Sequence, residues 1–134
     1  MNKMSFFGLC AAVALGAGVT YWSRTGGDNG GAGDVRLPAR FTGEAIAGSA
    51  LFEANCQACH GRNAAGTKKG PPLINKIYRP NHHSDRAFYR AARYGSIAHH
   101  WRFGNMPPVK GVTAPEVTKI IAYVRELQRA NGIF

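Results

Sequence analysis

The pentapeptide Cys56-Gln-Ala-Cys59-His60 constrains this chain more than any other feature of its sequence. The Cys-x-x-Cys-His spacing is the attachment signal for c-type haem. Two thiols one short turn apart can each add to a haem vinyl group, and the imidazole that follows is then held at the iron as its proximal ligand. The pattern predicts one covalently bound haem c, attached through Cys56 and Cys59 and ligated by His60.

Two other kinds of site use cysteines at this spacing. A closed zinc site needs two more ligands, which only scattered histidines could supply, because the chain has no second cysteine pair. A thioredoxin-like redox pair expects a βαβ context, and no such pattern surrounds these cysteines. Both interpretations are weaker than haem attachment.

Met106 is the one methionine beyond the N-terminal segment, and it is the candidate for the sixth position on the iron. Prolines follow it directly and stiffen its backbone. A thioether ligand stabilises Fe(II), and a six-coordinate haem has no vacant site for a substrate. We therefore expect His60 and Met106 to ligate the iron. The alternative sixth ligand is one of four histidines: His82, His83, His99 or His100.

Length and composition restrict the class of protein. The chain has 134 residues, of which 45% are hydrophobic, and a formal net charge of +10. This length allows one domain of common size. A large multi-domain enzyme is excluded, a disulfide scaffold is unsupported, and the ordinary hydrophobic content argues against a disordered chain.

The N-terminal segment reads as a membrane signal. Residues 4–22 are uncharged and end in Tyr21-Trp22, a pair typical of a membrane interface. Residues 1–23 are either a cleaved signal peptide or an uncleaved anchor, and both would export the rest of the chain. Residues 24–40 are rich in glycine near their start and are expected to form a flexible linker, followed by one domain over residues 41–134.

Three helices are predicted in this domain, over residues 43–55, 85–94 and from the Thr113–Glu116 capping box to Asn131. The last is the best defined, because apolar residues follow the box at helical spacing. The intervening segments show no sustained period and no alternating β pattern, so the predicted class is all-α. The predicted N-caps of the three helices are Thr42, Ser84 and Thr113, and Gly95 is predicted to end the middle helix.

With these features in order, the chain from about residue 41 to its end resembles a class I c-type cytochrome, the small monohaem kind of bacterial periplasms. Gly48 and Phe52 match the family's glycine and aromatic residue, which cross the last helix where Tyr123 would lie. Gly70-Pro71-Pro72-Leu73 matches the family's Gly-Pro-x-Leu segment, in which the proline carbonyl accepts the second ring proton of the axial histidine and the leucine packs on the haem. Met106 before a proline matches the distal ligand.

The resemblance implies three or more short helices around one haem, and an electron carrier rather than an enzyme. It implies a monomeric protein of the periplasm, free or tethered to the inner membrane by residues 4–22, that shuttles electrons between respiratory or dehydrogenase partners. The alternative is a haem-based sensor or a peroxidase-like enzyme whose methionine ligand is displaced, with His99 or His100 as the polar group at the open site.

The histidine pairs His82-His83 and His99-His100 exceed what a minimal member of the family needs. They could form a second metal site, such as a copper site, although paired histidines are more often exposed or face the haem propionates. Trp101 is expected to bind the haem by donating its indole N–H to a propionate; packing in the core is the equal alternative.

The charge indicates the kind of partner. From Asp34 onward there are fifteen basic and six acidic side chains. A ring of positive charge around a haem edge would attract and orient an acidic redox partner. Export of the chain argues against nucleic acid as the partner. Anionic lipid is the stronger alternative to an acidic protein. The basic residues expected at the haem crevice are Arg62, Lys68, Lys69, Lys76, Arg79, Arg102 and Lys110. Those expected on a merely solvated surface are Arg86, Arg90, Arg93, Arg125 and Arg129.

Overall fold

The structure is a computed structural model that describes residues 35–134, in which helices are joined by long irregular loops. Within this range there is no strand, and the only β-type contact is an isolated bridge between Ser96 and Met106. The predicted all-α class is confirmed. The α-helices are α1 (Gly43–Asn55), α2 (Gln57–His60), α3 (Asp85–Tyr94) and α4 (Ala114–Ala130), and the 3-10 turns are Arg62–Ala64 and Lys76–Tyr78.

Helices α1 and α4 cross with their backbones in contact at Gly48. A Cβ atom on Gly48 would lie 1.9 Å from the carbonyl oxygen of Lys119, so the crossing requires a residue without a side chain. One turn later Phe52, which is 1% exposed, packs on Tyr123 with ring centroids 5.6 Å apart. The crossing implied by the sequence resemblance is present, and it forms the centre of the core.

The ends of the three predicted helices agree with the structure, although one cap differs. The Thr42 hydroxyl accepts the N–H of Ala45, and the Glu116 carboxylate accepts the backbone N–H of Thr113 at 2.8 Å. Ser84 precedes α3 as predicted, but its side chain makes no capping hydrogen bond. The four-residue helix α2, within the haem motif, was not predicted.

Arg125 is buried, and the prediction that it belongs to a solvated surface is wrong. Its side chain is 8% exposed and donates to the carbonyl oxygens of Tyr78 and His83 at 2.7 and 2.6 Å. It also pairs with Asp85, while Gln128 donates to the Tyr78 carbonyl at 3.2 Å. The segment before α3 lies over this face of α4 and excludes water from it. The other arginines of this predicted group are exposed: Arg86, Arg90, Arg93 and Arg129.

The predicted signal peptide or anchor, residues 1–23, and most of the predicted linker, residues 24–40, lie outside the described residues. The first residues that the structure describes are in contact with the domain. The backbone N–H of Arg36 donates to the Asn131 side chain at 2.9 Å, and the Asn131 amide donates back to the Arg36 carbonyl. Across residues 35–134, no helix combines the length and the apolar character needed to cross a membrane.

Candidate functional site

A cavity of about 860 Å³ lies between α3, α4 and the two long loops of the domain. Its volume is in the range of cofactor sites. Helices α3 and α4 supply apolar walls that include Phe88, Val117, Ile120 and Ile121. Most of the predicted site residues line it: Cys56, His60, Pro71, Leu73, Trp101 and Met106. Cys59 is exposed and does not line it.

His60 ends α2 and is held in one orientation by Pro71. Its ring nitrogen Nδ1 lies 2.9 Å from the Pro71 carbonyl oxygen. Because a carbonyl can only accept, Nδ1 carries the proton and Nε2 keeps a free lone pair. Burial lowers the pKa of His60, although the bond to Pro71 raises it in part. The ring is therefore neutral at physiological pH and available as a metal ligand.

The loop after His60 brings Pro71 to this position by turning sharply at Gly61. Gly61 has a φ of 76°, and a Cβ there would lie 2.3 Å from the Gly66 carbonyl oxygen. The Gly66 N–H donates to the His60 carbonyl, and the Leu73 N–H donates to the Ala64 carbonyl at 2.9 Å. These backbone hydrogen bonds fold the loop back onto the residues next to His60, and Leu73 lies in the cavity wall.

Cys56 and Cys59 lie at the two ends of one turn and form no disulfide with each other. The N–H of Cys59 donates to the Cys56 carbonyl at 3.1 Å. Burial and, to a lesser extent, the nearby Cys59 thiol raise the pKa of Cys56 to about 11. A redox-active cysteine pair needs a lowered thiol pKa, so this environment argues against the thioredoxin-like alternative.

Met106 is held at the cavity by backbone pairing with Ser96. The two residues exchange N–H···O bonds of 3.0 and 2.9 Å. Gly95 precedes this bridge with a φ of 78°, and a Cβ there would lie 2.4 Å from the Met106 carbonyl oxygen. The Ala98 N–H also donates a hydrogen bond to the side-chain oxygen of Asn105 at 2.9 Å. The sequence showed Gly95 only as a helix stop, and it gave no signal for the Ser96 pairing.

Trp101 lines the cavity, but its indole N–H is already engaged. It donates to the Tyr78 hydroxyl at 3.1 Å. Burial raises the pKa of Tyr78, although the bond from Trp101 lowers it in part, so the phenol is protonated at neutral pH. This pair joins the loop before α3 to the loop after it. Propionate binding by Trp101 stays a prediction.

The rim of the cavity is apolar and exposed, with basic residues beyond it. Tyr94, Ile97 and Phe103 line the cavity and are 68%, 78% and 38% exposed. The seven basic residues predicted at the haem crevice are all exposed, but none of them lines the cavity. Arg90, predicted to be merely solvated, does line it. Sequence reasoning missed both Arg90 and the apolar rim.

A neutral buried imidazole, a thioether and the Cys56 thiol line one apolar cavity, and Cys59 lies at attachment spacing from Cys56. This set of residues fits the requirements of a haem c site. A family model described as Cytochrome c matches residues 45–128. This range contains both cysteines, His60 and Met106. Comparisons with curated proteins and with solved structures returned no match.

Proposed function

Because the chain belongs to the cytochrome c family, whose members carry covalently attached haem c and transfer electrons, we propose that it is a periplasmic one-electron carrier with His60 and Met106 as iron ligands. The haem supplies an iron that accepts and releases one electron. Cys56 and Cys59 would hold it through thioether bonds.

The observation that carries this proposal is that His60 and Met106 line one cavity while the backbone restrains each of them. The Pro71 carbonyl orients His60, and the Ser96 backbone pairs with that of Met106. A site with restrained ligands favours electron transfer, because little has to move when the charge changes. With His60 and Met106 as its ligands, the iron would have no position left for a substrate.

The rim supports a protein partner with an acidic surface. The exposed side chains of Tyr94, Ile97 and Phe103 form an apolar patch of the kind found at the centre of protein interfaces. Exposed basic residues, Arg90 at the cavity wall among them, would attract negative charge. We propose that redox donor and acceptor dock here in turn on a monomer. Anionic lipid also presents negative charge above an apolar interior and is the alternative partner, whereas export disfavours nucleic acid.

A redox titration combined with carbon monoxide binding tests the proposal. We expect a single one-electron wave and negligible carbon monoxide binding by the reduced wild type. Met106→Ala opens the site and serves as the positive control, so it should bind carbon monoxide rapidly. Rapid binding by the wild type would contradict the carrier and favour the sensor or peroxidase-like alternative.

Fractionation tests the proposed location. If residues 4–22 tether the protein, it should stay with the membrane fraction through high-salt washing, whereas a cleaved form should appear in the soluble periplasmic fraction. Both results agree with export. Recovery of haem-free protein from the cytoplasm alone would contradict it.

A further inference from the structure

Three histidines from two separate loops meet at the edge of the cavity, and two of them, His83 and His100, line it. His82 and His83 lie in the turn before α3, and His100 lies in the segment after it. One ring nitrogen from each falls within 4.8 Å of the other two. The electron-transfer role proposed above uses none of these side chains.

The spacing of one pair of these nitrogens matches a tetrahedral metal centre. The Nε2 atoms of His82 and His100 are 3.4 Å apart. At zinc–nitrogen distances of about 2.0–2.1 Å, two ligands of a tetrahedral ion are separated by about 3.3–3.4 Å. Neighbouring ligands of a square-planar ion would be closer, at about 2.9 Å. The observed pair therefore fits an ion with tetrahedral preference.

His83 is prepared to act as the third ligand. Its Nδ1 lies 2.7 Å from the Ile77 carbonyl oxygen and must donate to it, so Nε2 retains its lone pair. Such a bond behind the ligating nitrogen is the usual companion of a metal-bound histidine. Arg125 donates to the His83 carbonyl at 2.6 Å, which fastens the turn to the buried face of α4.

We propose that His82, His83 and His100 form a three-imidazole site for a divalent transition metal ion of tetrahedral preference, Zn²⁺, with water at the fourth position. The metal would link the loops on either side of α3, which the bond between Trp101 and Tyr78 already brings together. Imidazole also binds Cu²⁺, and generally more tightly than Zn²⁺, so both ions are needed as probes.

Separate calorimetric titrations of untagged, haem-loaded protein with Zn²⁺ and with Cu²⁺ test the site. We expect one ion per chain, and a loss of affinity of at least about tenfold in each of His82→Asn, His83→Asn and His100→Asn. His99→Asn is the matched control. His99 lies next to the cluster, with its ring 4.3 Å from that of His100, but is not one of the three grouped residues, so this variant should bind as the wild type does.

Several results would overturn the proposal. A dissociation constant weaker than about 1 mM means no built site, and equal weakening in all four variants means adventitious binding to surface histidines. Copper binding at these residues without zinc binding would overturn the tetrahedral assignment. The far-ultraviolet circular dichroism spectrum, unchanged in every variant, controls for folding.

Discussion

Arg125 fastens the segment before α3 to α4, and we predict that Arg125→Met destabilises the folded domain by about 2–4 kcal/mol. Methionine is similarly long but donates no hydrogen bond, so three acceptors lose a donor: the part-buried carbonyls of Tyr78 and His83, at 2.7 and 2.6 Å, and the buried Oε1 of Gln128, at 2.7 Å. Each unpaired buried acceptor costs about 1–3 kcal/mol. The Tyr78 carbonyl keeps Gln128 as a donor, which lowers the total. The ion pair adds at most about 1 kcal/mol, since Asp85 is 61% exposed.

The assay is thermal unfolding of the oxidised, haem-loaded protein followed by far-ultraviolet circular dichroism. For a domain of this size the predicted loss lowers Tm by at least about 8 °C. Arg129→Met is the matched control, because Arg129 lies one turn further along the same helix and is exposed. It should change stability by less than about 0.5 kcal/mol. If the two variants melt within about 2 °C of each other, the anchoring role of Arg125 is refuted.

Three further changes have defined outcomes. Gly48→Ala should lower the free energy of unfolding by about 1–3 kcal/mol or more, because its Cβ would meet a backbone carbonyl of α4; Gly43→Ala, in open space, is the control. Gly95→Ala should displace Met106 and speed carbon monoxide binding to the reduced protein, and an unchanged rate would contradict that coupling. The cap of α4 lowers the pKa of Glu116 through a backbone and then a hydroxyl hydrogen bond. Its stabilisation is complete above the ordinary pKa of 4.5 and is lost as pH falls through the lowered pKa. In urea unfolding at neutral pH, Glu116→Gln should therefore have a lower free energy of unfolding than the wild type. This difference should disappear in acid.

Features encoded by neighbouring residues could be predicted from the sequence. The start of α4 follows from the Thr113–Glu116 box, and the end of α3 follows from Gly95, because caps and stops depend on a few adjacent residues. The haem motif is equally local. The contact between His60 and Pro71 could be anticipated only through the family resemblance, since nothing in the spacing of the loop residues encodes it.

Features that depend on where a loop comes to rest could not be predicted. Arg125 was assigned to the surface because its charge suggested water, yet it lies four residues after Ile121, on the apolar face, where a loop covers it. The same holds for Ser96, which pairs with Met106 across a ten-residue separation. Loops without a hydrophobic period do not indicate which of their residues lie opposite each other. Their backbone pairing is therefore visible only in the structure.

The near-infrared absorption spectrum of the oxidised protein tests most directly whether Met106 ligates the iron. A weak sulfur-to-iron charge-transfer band should be present in the wild type and absent in Met106→Ala. It should persist in a variant of the neighbouring loop, Arg102→Gln, whose side chain is exposed. A wild-type spectrum without this band, in protein that carries its haem, would contradict the proposed ligand pair.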